Sequence, residues 1–91
     1  MYWAKELAYT ITPKSGPMRK METLLDANRA LTNDLPKSSR KRPHWLAAGM
    51  FLVRASETGT EADIRRATDE LVNALEYESW MNRPRPRVVP K

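Results

Sequence analysis

An α+β fold is expected, a short β-hairpin followed by three α-helices in the order β-β-α-α-α. Three observations predict it. Leu7, Tyr9 and Ile11 alternate with Ala8, Thr10 and Thr12 near the start. Two Thr-x-x-Asp signals, Thr23 to Asp26 and Thr60 to Asp63, each precede an apolar stripe at helical spacing. Between them lies the apolar segment Trp45 to Val53, introduced by Pro43.

Each element has its own warrant. A period of two with β-branched and aromatic residues reads as a half-buried strand over 5–13. Lys14-Ser15-Gly16-Pro17 is turn chemistry, with Gly supplying positive φ and Pro fixing the exit. Met18 to Glu22 then closes the hairpin as a second strand. Thr23 caps the first helix, and Asp26 suits its positive end. Its apolar stripe is Leu24, Ala27, Leu31 and Leu35, and Pro36 ends it near Asn33. Pro43 suits the first turn of a second helix, from about His44 to Ser56. Trp45, Leu46, Met50, Phe51, Leu52 and Val53 make that helix apolar on nearly every side, so it is expected to be the central, most buried one. Ala47, Ala48 and Gly49 would let another backbone approach it closely. The third helix carries Ile64, Ala67, Leu71, Ala74 and Leu75 inward, Arg65, Arg66, Asp69, Glu70, Asn73 and Glu76 outward, and ends by Asn82.

The chain of 91 residues suits one domain, over 1–82, with a Pro- and Arg-rich tail over 83–91 expected to be extended and mobile. Roughly 80 residues bury only about 60–65% of their unfolded surface, which predicts modest stability. A lone two-stranded hairpin is marginal in water, so its apolar face must lie on the helices, or its open edge must pair with another copy.

Charge is unevenly placed. Lys and Arg number 16 against 11 acids, a net charge of +5. Lys37, Arg40, Lys41 and Arg42 form one acid-free cluster, expected to be a loop; Arg83, Arg85, Arg87 and Lys91 form another in the tail. The remainder is acidic. Phosphate groups respond to such clusters without sequence readout, so Lys37, Arg40, Lys41, Arg42, Arg83, Arg85 and Arg87 are the candidate contacts for nucleic acid or another acidic partner. No aromatic lies within the loop to stack a base, and Glu61, Asp63, Asp69 and Glu70 spoil the third helix as a major-groove reader. Nucleic-acid binding is therefore the second reading.

There is no cysteine, hence no disulfide and no thiolate metal site. The single histidine, His44, is expected to cap or flank the second helix. It has neither the further nitrogen ligands of a metal site nor a nucleophile with an orienting group. Gly16, Gly49 and Gly59 are isolated, so no phosphate loop exists. No catalytic residue, metal or cofactor is expected. The start of the chain lacks the order of a signal peptide, and the longest apolar run is about half of a membrane span. The expectation is a soluble, cytoplasmic protein with no membrane partner.

The stretch Arg19-Lys20-Met21-Glu22-Thr23-Leu24-Leu25-Asp26-Ala27, followed by Leu31 and Leu35-Pro36, resembles the family of short uncharacterised rhizobial proteins called domain of unknown function nine-eight-two. The resemblance covers roughly residues 5 to 80. Leu35 stands where that family usually has Trp, and Gly49 to Phe51 fall where it often has a Cys. The resemblance implies a small α+β or mainly helical fold and no activity.

Large apolar side chains collect at the ends: Tyr2 and Trp3, then Tyr77, Trp80 and Met81. They either cover the core, cover each other, or form a self-association patch of Trp3, Tyr77, Trp80 and Met81, since aromatics and Met are enriched at interface centres. The expected function is a small non-catalytic interaction module, paired with itself as a homodimer or with another protein.

Overall fold

The computed structural model describes residues 1–81. Strand β1, Glu6–Ile11, pairs antiparallel with β2, Met21–Thr23. Helix α1, Leu24–Arg29, runs on without a break into a π-helical turn, Ala30–Asp34. A single helical turn α2, Lys37–Arg40, precedes α3, Pro43–Thr58, and α4, Glu61–Tyr77. The α+β order holds, a hairpin followed by helices.

The hairpin lies on α4. Its register slips between the Glu6–Thr23 and Ile11–Met21 pairs, where β1 carries extra residues. Leu7 and Ile11 are buried, while Tyr9 between them leans over α4 and donates its hydroxyl to Asp69 Oδ1 at 2.8 Å. The Ala8 N–H on β1 is taken by Thr68 Oγ1 at 3.0 Å, and that buried hydroxyl donates onward to Ile64 O. A strand donor is thereby satisfied by a helix side chain, which reduces what β1 offers to a second copy. The second strand is shorter than expected, because Met18 to Lys20 do not pair with β1.

Both Thr caps form. Thr23 Oγ1 accepts from the Asp26 N–H at 3.1 Å, and Asp26 Oδ2 accepts from the N–H groups of Thr23 and Glu22. Thr60 does the same for α4 through the Asp63 N–H. Each cap satisfies helix donors that would otherwise be orphaned. At the far end of α1, Leu35 is extended, as a residue before Pro must be, and its N–H reaches back five residues to Ala30 O. The wide turn carries the helix to Asp34, whose carboxylate grips the Arg19 guanidinium at 3.0 and 3.4 Å.

Helix α4 ends at Tyr77, ahead of the limit set by Pro84. Ser79 adopts φ 65°, its N–H bonds Glu76 O, and the Trp80 N–H bonds Leu75 O at 2.9 Å. This is the paired C-terminal bonding usually built around glycine. It turns Trp80 back, where its carbonyl accepts from the Lys14 and Ser15 N–H groups and its indole lies over Gly16. Gly16 has φ +84°, and a Cβ there would sit 2.5 Å from the Trp80 ring. Gly16→Ala is therefore expected to cost about 2 kcal/mol, from the left-handed backbone plus overpacking. A thermal melt reads this, and an unchanged midpoint would show that the turn does not hold Trp80.

The core is one cluster between the hairpin, α1, α3 and α4. It includes Ile11, Met21, Leu24, Leu35, Trp45, Leu52, Leu71 and Leu75. One expectation about it fails. Helix α3 is not buried all round: Trp45, Ala48, Leu52 and Ala55 face inward, but Leu46, Met50 and Val53 are 54%, 73% and 45% exposed. The hairpin sits on α4, so nothing among the described residues covers the outer side of α3. No helix among them is long and apolar enough to cross a membrane.

Candidate interaction surface

The basic segment is not an open loop. Lys37 to Arg40 form the helical turn α2 behind Pro36. Arg40 turns inward: Nε donates to Leu35 O at 3.1 Å and Nη2 to Thr32 O. It thus caps carbonyls that the π-helical turn leaves open. Arg42 Nη1 lies 3.5 Å from Glu78 Oε1 on the turn after α4. Two of the four candidate phosphate contacts are therefore tied to the protein's own carbonyls and carboxylate. Lys37 and Lys41 stay exposed, with no ion-pair partner among the described residues. Arg83, Arg85 and Arg87, and the tail as a whole, lie outside the described residues.

Glu78 is the organising group at this end, and nothing local in the sequence marks it. Its Oε2 accepts from His44 Nε2 and from the Trp45 indole N–H, each at 2.9 Å. Tyr77 stacks on the His44 ring with centroids 4.4 Å apart. His44 does flank the start of α3, and its role there is to bind α3 to the end of α4. Burial pushes the Glu78 carboxyl up, but the hydrogen bonds from His44 and Trp45 and the Arg42 charge outweigh it, so the net shift is downward.

Other carboxyls are held low as well. The Arg19 guanidinium lowers Asp34, and the Glu22 and Thr23 N–H groups lower Asp26. A carboxyl whose folded value is depressed contributes stability above its unfolded value, and that contribution is lost as pH falls through the folded value. Urea midpoints are thus expected to be level near neutrality and to drop below about pH 4, where unperturbed carboxyls begin to protonate. Equal midpoints at pH 7 and pH 3 would contradict the capping and clamping roles of these groups.

The terminal aromatics divide. Trp3, Trp80 and Met81 pack against the core as partly buried covers. Tyr77 alone of the four candidate self-association residues is largely exposed, at 74%.

The large apolar surface lies elsewhere. A groove of about 610 Å³ runs between the α1–π segment and α3, with Leu31 and Thr32 on one wall and Leu46, Gly49, Met50 and Val53 on the other. Its volume falls in the range of small-molecule pockets, yet such pockets need convergent polar groups to orient a ligand. Here Arg40 is spent on carbonyls and Arg54 lies 3.7 Å from Asp63. What remains suits an apolar protein surface. At 100° per residue, Leu46, Gly49, Met50, Val53 and Glu57 fall within an arc of roughly 100° on the outer side of α3, and Arg42 precedes its first turn as the N-cap. Gly49 is the odd member. Mid-helix glycine costs about 1 kcal/mol relative to alanine. A Cβ at Gly49 would meet nothing within 4 Å among the described residues, so no packing among them requires the glycine.

The small residues Ala47, Ala48 and Gly49 mark this helix in the sequence as one that another backbone can approach closely, without saying which backbone. The spacing of Leu46, Met50 and Val53 was visible; which side would be left bare was not. Among the described residues no group of His, Cys, Asp and Glu could hold a metal ion. No family model matches the chain, and neither a curated protein nor a solved structure is significantly similar to it.

Proposed function

We propose that this protein is a small, cytoplasmic, non-catalytic interaction module that works as a homodimer, and that the outer face of α3 is its contact surface. The observation that carries the reading is the exposed stripe Leu46, Met50 and Val53 beside an apolar groove. Single exposed apolar residues are ordinary on any surface; a contiguous stripe edged by charge is characteristic of association sites. The resemblance to family nine-eight-two belongs to the same reading and adds a fold without an activity.

Phosphate contact through the basic segment is the competing reading, and it is weaker than the composition suggests. Arg40 is held by the carbonyls of Leu35 and Thr32, and Arg42 is partly engaged by Glu78, which leaves Lys37, Lys41 and the remaining Arg42 donors with the tail arginines. Light scattering after size exclusion decides the main proposal. A dimer mass at high micromolar concentration is expected, and a strict monomer there would refute it.

A further inference from the structure

The outer stripe of α3 has a symmetry that names its occupant. Leu46 and Val53 lie equally far from a point between Gly49 and Met50, and so do Arg42 and Glu57. We infer that α3 packs antiparallel against α3 of a second copy, across a two-fold axis at Gly49 and Met50. The inference rests on the proposed self-association and specifies its geometry.

In this arrangement Leu46 of one copy faces Val53 of the other, and Met50 fills the space opposite Gly49. The absent Cβ at Gly49 lets the two helices approach closely, which accounts for a glycine that no packing among the described residues explains. Arg42 and Glu57 each stand ~11 Å from the axis along the helix, at 1.5 Å per residue, so each meets the other's opposite charge. Glu57 is exposed, and its carboxylate has no partner among the described residues. The Arg42 side chain is 53% exposed and meets Glu78 through one nitrogen only, so further donors remain for a second carboxylate. A parallel pairing would instead set Arg42 against Arg42 and Glu57 against Glu57, and like charges placed opposite each other disfavour that mode. A two-fold contact requires a self-complementary patch, and this stripe is one in the antiparallel sense alone.

The lack of cysteine makes the test direct, because any introduced thiol is the only one present. Full-length Met50→Cys, Leu46→Cys and Val53→Cys would be oxidised and run on non-reducing gels, with light scattering of each reduced protein alongside. These side chains are exposed, so the variants are expected to fold, and circular dichroism verifies that they do. Disulfides need Cα atoms within about 7 Å. Positions 50 and 50 are offset by only ~1.5 Å along the axis, and 46 and 46 by ~10 Å. Met50→Cys is expected to form a covalent dimer alone. Leu46→Cys and Val53→Cys are each expected to stay uncrosslinked alone and to link when mixed. If the protein is dimeric but Met50→Cys does not link, or if Leu46→Cys and Val53→Cys each link to themselves, self-association stands and this arrangement falls. A monomer by light scattering overturns both.

Discussion

On the proposed pairing, Met50→Lys is expected to leave the protein monomeric while the fold of each chain stays intact. Met50 is the most exposed of the three stripe residues, so its own chain loses little by the change. In the proposed association it lies next to the two-fold axis, so each dimer would acquire two ammonium groups at the centre of an apolar contact. Burying unpaired like charges costs several kcal/mol, and 1.4 kcal/mol is tenfold in affinity. A loss of self-association of ~100-fold or more follows. Gly49→Ala supplies a subtler companion. Its methyl group should improve the isolated helix by about 1 kcal/mol yet hold the two helices apart. A variant with a higher melting temperature at low concentration and weaker dimerisation would carry the signature of a glycine kept for an intermolecular contact. Sedimentation of both variants over a concentration series measures the effect. Wild-type affinity in Met50→Lys would remove α3 from the interface.

The second large effect is inside the chain, at Glu78. Glu78→Ala is expected to destabilise the protein by about 3 kcal/mol, because it strands two donors at once. Trp45 is only 2% exposed, and its indole N–H donates to Glu78 Oε2, so the lost acceptor cannot be replaced by bulk water. His44 Nε2 loses the same oxygen. For a chain of this length, total stability is roughly 4–12 kcal/mol, so the change removes a large share. Glu78→Gln keeps one acceptor oxygen in place and should cost clearly less, separating the hydrogen bond from the charge. Urea unfolding of the two variants gives the comparison. Equal and small losses would mean that α3 is held to α4 by apolar packing alone.

How much of this was legible beforehand depended on how local the cause is. The caps at Thr23 and Thr60 are made by residues within three or four positions, so the sequence pattern and the hydrogen bonds coincide. Leu35 is extended because Pro36 follows it, again a neighbour's effect. The stripe of Leu71, Ala74 and Leu75 on α4 is buried as its spacing implies. Glu78 was not legible, since its partners His44 and Trp45 lie more than thirty residues earlier and nothing in a run of acids distinguishes it. Nor were the inward turn of Arg40 and the contact of Arg42 with Glu78, since both look like free cations until the carbonyls of Leu35 and Thr32 and the carboxylate of Glu78 are in place. The turn at Ser79 carries no glycine to announce it.

By itself, then, the sequence determined the order of elements, their caps and the positions where proline forbids a helix to continue. These follow from backbone sterics and hydrogen bonds between near neighbours, which act before any tertiary contact exists. Only the tertiary structure decided which side of α3 is covered. An apolar stripe states that burial would be favourable, but burial needs an opposing surface, and the hairpin supplies that surface to α4. Among the described residues the outer side of α3 is left bare by that choice, with Gly49 at its centre and opposite charges at its two ends.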